Sequence, residues 1–210
     1  GMVGHDIRNP LQSIVADVYL SKEELKSFPQ GEAKSNLEES LNGIENQTVY
    51  INKIVADLQD YTKTTAPHLE QTVLQSLIQE MLNNIKVPEN IKQSIKVSRN
   101  SQKLIVDRHM LQRALTNIAL NAVQAMPKGG ELSITAKAEN QNVTISVKDT
   151  GIGIPEEAKK NMFKPLFTTK PKGQGFGLAV AKKLTEALGG SITFESEVGK
   201  GTTFAIMLPQ

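Results

Sequence analysis

Cysteine is absent from all 210 residues. That excludes disulfides, Cys-ligated zinc and a thiol nucleophile, and it fits a reducing compartment. Tryptophan is also absent and aromatic residues make up only 4%, which leaves little for the stacking platforms of single-strand nucleic-acid binders. Charge of one sign is not in excess: 24 Lys+Arg against 22 Asp+Glu leave +2, so no strong field draws a nucleic acid, and none is expected as a partner. No apolar run nears the roughly 20 residues that span a bilayer, and no signal-peptide pattern is present. The expectation is a cytoplasmic chain, with a membrane entering only through a segment preceding it. Gly1 before Met2 reads as a scar of tag removal, so an excised piece of a longer protein is expected.

What is present is globular in composition, 39% hydrophobic and 22% charged, and long enough for one large domain or two ordinary ones. From Ile7 to about Ser27 the stripe runs Ile7, Leu11, Ile14, Val18, Ser21, Leu25, in alternating steps of four and three. Phe28-Pro29-Gln30-Gly31 breaks the helix, and a second stripe follows: Leu37, Leu41, Ile44, Thr48, Ile51, Val55, Leu58. Steps of four and three make a heptad seam rather than a broad core-facing side. A hairpin of two helices cannot bury both stripes alone, so pairing with a second copy into a four-helix bundle is expected.

Thr64-Thr65-Ala66-Pro67 marks the expected boundary, giving units 1–66 and 67–210. The first carries 6 Lys+Arg and 10 Asp+Glu, a net of −4, leaving 18 − 12 = +6 for the second. Beyond the boundary the spacing predicts helices over 69–85, 108–126 and 176–188. Alternation predicts strands over 93–99, 103–107, 131–138, 142–148, 191–196 and 202–208. Strands and helices mix without a regular βαβ order, which implies an α+β domain with helices layered on one face of a largely antiparallel sheet.

Residues 150–177 form a long Gly-, Pro- and Lys-rich stretch, and such a loop inside a compact domain is functional or disordered. It opens with Asp149-Thr150-Gly151-Ile152-Gly153 and closes with Gly173-Gln174-Gly175-Phe176-Gly177-Leu178 at the start of a helix. Glycines beside a helix N-terminus let backbone N–H groups approach phosphate oxygens, and Lys164, Lys170 and Lys172 add positive charge. The pattern is neither a Walker loop nor a Rossmann fingerprint, and no element of a eukaryotic-type protein kinase is present. Asn117 and Asn121 sit four apart on an otherwise apolar helix and so share a face. Their amide oxygens suit Mg²⁺, an oxygen-seeking ion that bridges nucleotide phosphates.

In order along the chain stand Asn117-x-x-x-Asn121-Ala122, Asp149-x-Gly151-x-Gly153, Phe163 to Phe167 with Thr168-Thr169-Lys170, Gly173-x-Gly175-x-Gly177-Leu178, and Gly201-Thr202. These resemble the N, G1, F, G2 and final glycine boxes of the Bergerat-type ATP-binding domain of sensor histidine kinases. His5-Asp6-Ile7-Arg8-Asn9-Pro10-Leu11 resembles the H-box of their dimerisation and phosphotransfer hairpin. The resemblance covers about residues 4–209. It implies an α/β-sandwich ATP-binding domain after a dimeric hairpin, ATP and Mg²⁺ as ligands, and a response-regulator receiver domain as partner. The activity implied is autophosphorylation of His5 and transfer to an Asp of the regulator.

Residue by residue, the resemblance implies His5 as phosphoacceptor, Asp6 as general base and Asn9 as the residue serving dephosphorylation of the regulator. Asp149 would accept the adenine amino group with Thr202 beside it. Asn121 would hold Mg²⁺ and Asn117 would assist at the phosphates. Lys170 and the backbone of Gly151, Gly153, Gly173, Gly175, Gly177 and Leu178 would line the nucleotide site, with 154–174 as a lid. Two positions depart from the common pattern: Gln124 where many relatives carry Lys, and Phe176 where Leu is usual. His68 and His109 have no such context and read as surface residues.

Overall fold

The computed structural model describes residues 2–62, 66–169 and 175–210, apart from the side chains of residues 2–6, 53, 57, 60 and 62. The chain divides into two compact units, Gly1–Lys63 and Thr64–Gln210. Among the described residues no helix is long and apolar enough to cross a membrane.

The first unit is a helical hairpin of α1 (Met2–Leu25) and α2 (Glu32–Thr62). It resolves each heptad stripe into two sets. Leu11, Val18 and Leu25 of α1 and Thr48 and Val55 of α2 are buried between the helices. The alternate positions, Ile14, Leu37, Ile44, Ile51 and Leu58, stay 40–48% exposed. One apolar position per heptad is therefore satisfied within the chain, and the other is left on the outside. At the turn, the buried Lys34 donates from Nζ to the Phe28 carbonyl at 3.1 Å, satisfying a backbone acceptor of the loop between α1 and α2. Lys22 and Glu45 pair across the helices at 2.5 Å.

The second unit is an α/β sandwich. In chain order it holds β1 (Glu70–Val73), α3 (Leu74–Ile85), β2 (Ile91–Val97), β3 (Lys103–Val106), α4 (Arg108–Gln124), β4 (Gly130–Glu139) and β5 (Asn142–Asp149). Then come α5 (Glu156–Lys159), α6 (Gly177–Ala187), β6 (Ser191–Glu197) and β7 (Gly201–Pro209). The main sheet has the order β2-β4-β5-β7-β6. Its β2–β4 pair is parallel and the rest antiparallel. Alternation along β4, β5 and β7 sends Leu132, Ile134, Ala136, Val143, Ile145, Val147, Phe204, Ile206 and Leu208 into one core with α3, α4 and α6. The opposite face carries Ser133, Thr135, Ser146, Lys148 and Thr203, as expected of a sheet with one face in water.

Two elements differ from the sequence expectation. The segment 69–85 is not one helix, because Glu70–Val73 pairs antiparallel with Lys103–Val106 and the helix starts only at Leu74. The 103–107 strand accordingly belongs to this separate two-stranded sheet and not to the main one. Helical spacing of 73, 74, 77 and 78 concealed a strand whose partner lies about 30 residues downstream.

Asp107 joins these pieces. Its Oδ1 accepts the Met110 N–H at 2.9 Å, an N-cap for α4, and its Oδ2 accepts the His68 N–H at 2.9 Å. Burial alone would raise this carboxyl's pKa, but the backbone N–H groups of Met110, His68 and His109, with the charge of His109, bring it below the usual value. A lowered native pKa means stability present above the unfolded value near 3.9 and lost as pH falls through the native one. Asp107→Ala is expected to cost about 1–2 kcal/mol. Thermal unfolding of the variant should also lose part of the acid-side fall in stability; an unchanged midpoint at neutral pH would count against the cap.

Candidate functional site

The C-terminal end of α4, the end of β5 and the β6–β7 turn converge on Asp149. This carboxylate is 2% exposed. Its Oδ1 accepts the Gly151 N–H at 2.8 Å and the Thr202 N–H at 3.2 Å. Asp149 and Thr202 are register partners across β5 and β7. An ionised carboxylate offers only acceptor sites, so what this group presents beyond its backbone partners is acceptor capacity.

Close backbone packing holds the loop after Asp149. The Ile152 N–H reaches the Ala125 carbonyl at 3.1 Å, and the Gly199 N–H reaches the Ile152 carbonyl at 2.9 Å. Gly153 has φ +72, and a Cβ there would run into the Glu197 carbonyl oxygen. Gly201 has φ +104, and a Cβ there would run into the Asp149 carbonyl oxygen. These glycines let one backbone lie directly on another.

Asn117 and Asn121 do share a face of α4, and that face meets the start of α6. An atom added as Cβ to Gly177 would lie 3.6 Å from Asn117 Oδ1 and 3.8 Å from Asn121 Nδ2, ordinary contact distances. Asn117 Nδ2 is buried without a hydrogen-bond partner. A buried donor in that state costs about 1–3 kcal/mol, which a ligand acceptor at this position would recover. Leu178 is half-buried against the core, and Phe176 is 4% exposed, so the Phe at the usual Leu position is a packing residue. Gln124, where many relatives carry Lys, is exposed at the end of α4.

The stretch between the two glycine clusters is partly anchored. Ala158 and Met162 are buried. Phe163 packs edge-on to Phe194 and Phe204, with ring centroids 5.9 and 6.4 Å apart, and Lys182 lies over its ring at 5.7 Å. Leu166 is exposed with φ +66, and a Cβ on Gly175 (φ +70) would strike its backbone. Lys170, Lys172 and Gly173 lie outside the described residues, as do the side chains of His5 and Asp6, although the backbone at 5 and 6 is part of α1. Asn9 is exposed on α1.

One residue the sequence reading did not single out belongs to this cluster. Ser196 Oγ accepts the Ile154 N–H at 2.9 Å and lies 2.9 Å from Thr202 Oγ1. A signal was available: Ser196 is a polar residue on the inward face of β6, in line with Ile192 and Phe194.

The match to known proteins is consistent with this geometry. Residues 106–210, half of the chain, match the family described as histidine kinase-, DNA gyrase B- and HSP90-like ATPase, and the chain belongs to that family. Within it, the chain is a histidine kinase catalytic core. The sensor histidine kinase ZraS of Escherichia coli (strain K12) is 34% identical over 210 residues, which are 99% of this chain and 44% of ZraS. The chain thus spans less than half the length of that relative. Full-length ShkA, crystallised in complex with AMPPNP, aligns over 99% of this chain and 44% of its own, with TM-score 0.81 and 24% identity. Histidine kinase ThkA, in complex with the response regulator TrrA, aligns over 100% of this chain and 61% of its own, with TM-score 0.70 and 24% identity. At that identity both structures establish the fold.

Proposed function

We propose that residues 67–210 bind ATP with Mg²⁺, that the γ-phosphoryl group passes to His5 in the hairpin of residues 1–66, and that it moves on to an aspartate of a response-regulator receiver domain. The observation that carries the reading is Asp149: a buried carboxylate, held on Oδ1 by two backbone N–H groups, suits the amino group of adenine. The family match supports ATP as ligand, and the AMPPNP bound by ShkA supports it at the level of fold. The TrrA complex of ThkA supports the regulator as partner in the same way.

The Asn pair fits the phosphate end. Asn117 Nδ2, a buried donor lacking an acceptor, suits a phosphate oxygen, and the Asn121 amide suits Mg²⁺. When bound, Mg²⁺ neutralises charge on the β- and γ-phosphates. Gly177 leaves the room in front of both amides that a side chain would take. Lys170 and the backbone at Gly173, Gly175 and Leu178 complete the phosphate side, with 154–174 closing over it.

In the transfer, an imidazole nitrogen of His5 forms a bond to the γ-phosphorus as the bond to the β–γ bridging oxygen breaks and ADP leaves. The proton lost by the imidazole goes to the Asp6 carboxylate, the adjacent general base. Positioning and charge neutralisation supply most of the rate. Asn9, one turn beyond His5, serves the dephosphorylation of the regulator, in which water takes the phosphoryl group from the aspartate and inorganic phosphate leaves. Labelling checks the assignment: the full-length protein should take up acid-labile label from γ-labelled ATP, and its His5→Gln variant should take up none. Label retained in His5→Gln would refute His5 as acceptor.

The hairpin pairs two copies. Ile14, Leu37, Ile44, Ile51 and Leu58 form the exposed half of a heptad seam, and the same stripe of a second copy would complete a four-helix bundle. Sedimentation equilibrium should give twice the chain mass; a monomer throughout the concentration range would exclude the pairing.

A further inference from the structure

The bare face of the main sheet carries an ordered strip of lysines, and strand register lays it out row by row. Lys92 lies opposite Glu131. Two residues further on, Ser94, Ser133 and Lys148 share a row, and after it come Lys96, Thr135 and Ser146. Lys137 stands in the next row, opposite Thr144. Four successive rows on β2, β4 and β5 therefore hold one lysine each, about 7 Å apart along the strands and within about 10 Å across them. All four are exposed. Among the described residues none of them forms an ion pair, whereas Lys22, Lys26, Lys159, Lys182 and Lys200 each do. The side chains between them are short. Ser94 and Ser133 hydrogen-bond each other at 3.0 Å, and Thr135 and Ser146 are half-buried, so the ammonium groups stand clear of a low hydroxyl floor. The outward acids of these three strands, Glu131 and Glu139, lie at the two ends of β4.

Four cations spread along a flat strip do not converge on one phosphate, so a small anion would meet them one at a time. A flat array of anions meets all four together. Nucleic acid fits this face less well. Phe194 and Phe204, the aromatic residues of the sheet, pack in the core, which leaves no ring for base stacking, and a flat sheet face presents no helix or ribbon to enter a groove. We propose that the Lys92, Lys96, Lys137 and Lys148 strip docks the second unit reversibly on an anionic lipid surface. Lys148 and Asp149 are consecutive on β5 and point to opposite faces, so a docked sheet leaves the Asp149 side free. The contact needs no membrane-spanning helix and is independent of the ATP reading.

The experiment is co-sedimentation of the whole chain with vesicles of phosphatidylcholine, alone or with about one third phosphatidylglycerol. The chain should bind the anionic vesicles and not the neutral ones, and added salt should release it. A lysine near an anionic surface is worth about a fivefold change in partition, so replacing all four by Gln should weaken binding about 100-fold or more. Replacing Lys159, Lys160, Lys182 and Lys200 by Gln removes the same charge off the strip and should change binding less than about threefold. Equal losses in the two variants would mean diffuse attraction to net charge and would overturn the proposal, as would no binding of the original chain to anionic vesicles. Circular-dichroism melts check folding. Should the four-lysine variant not fold, Thr135→Glu with Ser146→Glu, which keeps every lysine and places two acids among them, decides the question by the same loss or its absence. A duplex DNA arm covers the other polyanion: if the four-lysine variant loses DNA and keeps the vesicles, the strip serves nucleic acid and the proposal fails.

Discussion

Asp149→Asn is expected to lower affinity for ATP about 100-fold while the unit spanning residues 64–210 still folds. The carboxamide oxygen can keep the two backbone bonds that Oδ1 now accepts, from Gly151 at 2.8 Å and Thr202 at 3.2 Å. Its NH₂ group then stands where the carboxylate offered an acceptor. Against an adenine amino group that sets donor against donor in a buried site, and an unsatisfied buried group costs about 1–3 kcal/mol in addition to the bond lost. Calorimetric titration with ATP, alongside a circular-dichroism melt, separates the two effects. Unchanged ATP affinity in a folded variant would remove Asp149 from base recognition.

Gly201→Ala is expected to act on stability first. Gly201 has φ +104, a conformation that L side chains rarely adopt. The added methyl would meet the Asp149 carbonyl oxygen, with the Asp149 carbonyl carbon at 2.8 Å and the Thr150 Cα at 2.9 Å. All three atoms belong to a neighbouring backbone, so no side-chain rotation relieves the contact. Backbone strain and overpacking together cost on the order of 3 kcal/mol. For a unit of this size that corresponds to a fall of roughly 6–12 °C in the unfolding midpoint. The melt of the second unit reads it, and a midpoint within about 2 °C of the original would show that the strands part at little cost. The surviving folded fraction should also bind ATP more weakly, because the displaced group is Asp149 itself.

Much of the molecule is legible in its residues because the signals involved are local. Heptad steps of four and three mark both helices of the hairpin. Alternation marks β4 and β5, and Asn140-Gln141, both with positive φ, form the tight turn between them. Asn117 and Asn121 share a helical face by arithmetic alone. Other features depended on partners far away in the chain. Glu70–Val73 is a strand because of Lys103–Val106, and β2 lies parallel to β4 although the rest of the sheet is antiparallel. Gly153 and Gly201 stand in sequence only as members of glycine boxes, and it is the folded chain that sets them against the Glu197 and Asp149 backbone.

The sequence by itself determined the family, the division into a helical hairpin and an ATP-binding unit, and the identity of the polar groups available for chemistry. Periodicity and ordered motifs are properties of neighbouring residues, and they survive without knowledge of what each element packs against. Tertiary structure alone decided which half of each heptad stripe the hairpin buries. It also decided which atom of Asp149 the backbone occupies, and it brought Ser196 on β6 within hydrogen-bond reach of Thr202 on β7. Hydrogen bonds are set by distances of a few tenths of an ångström between groups many residues apart, and only the folded chain fixes those.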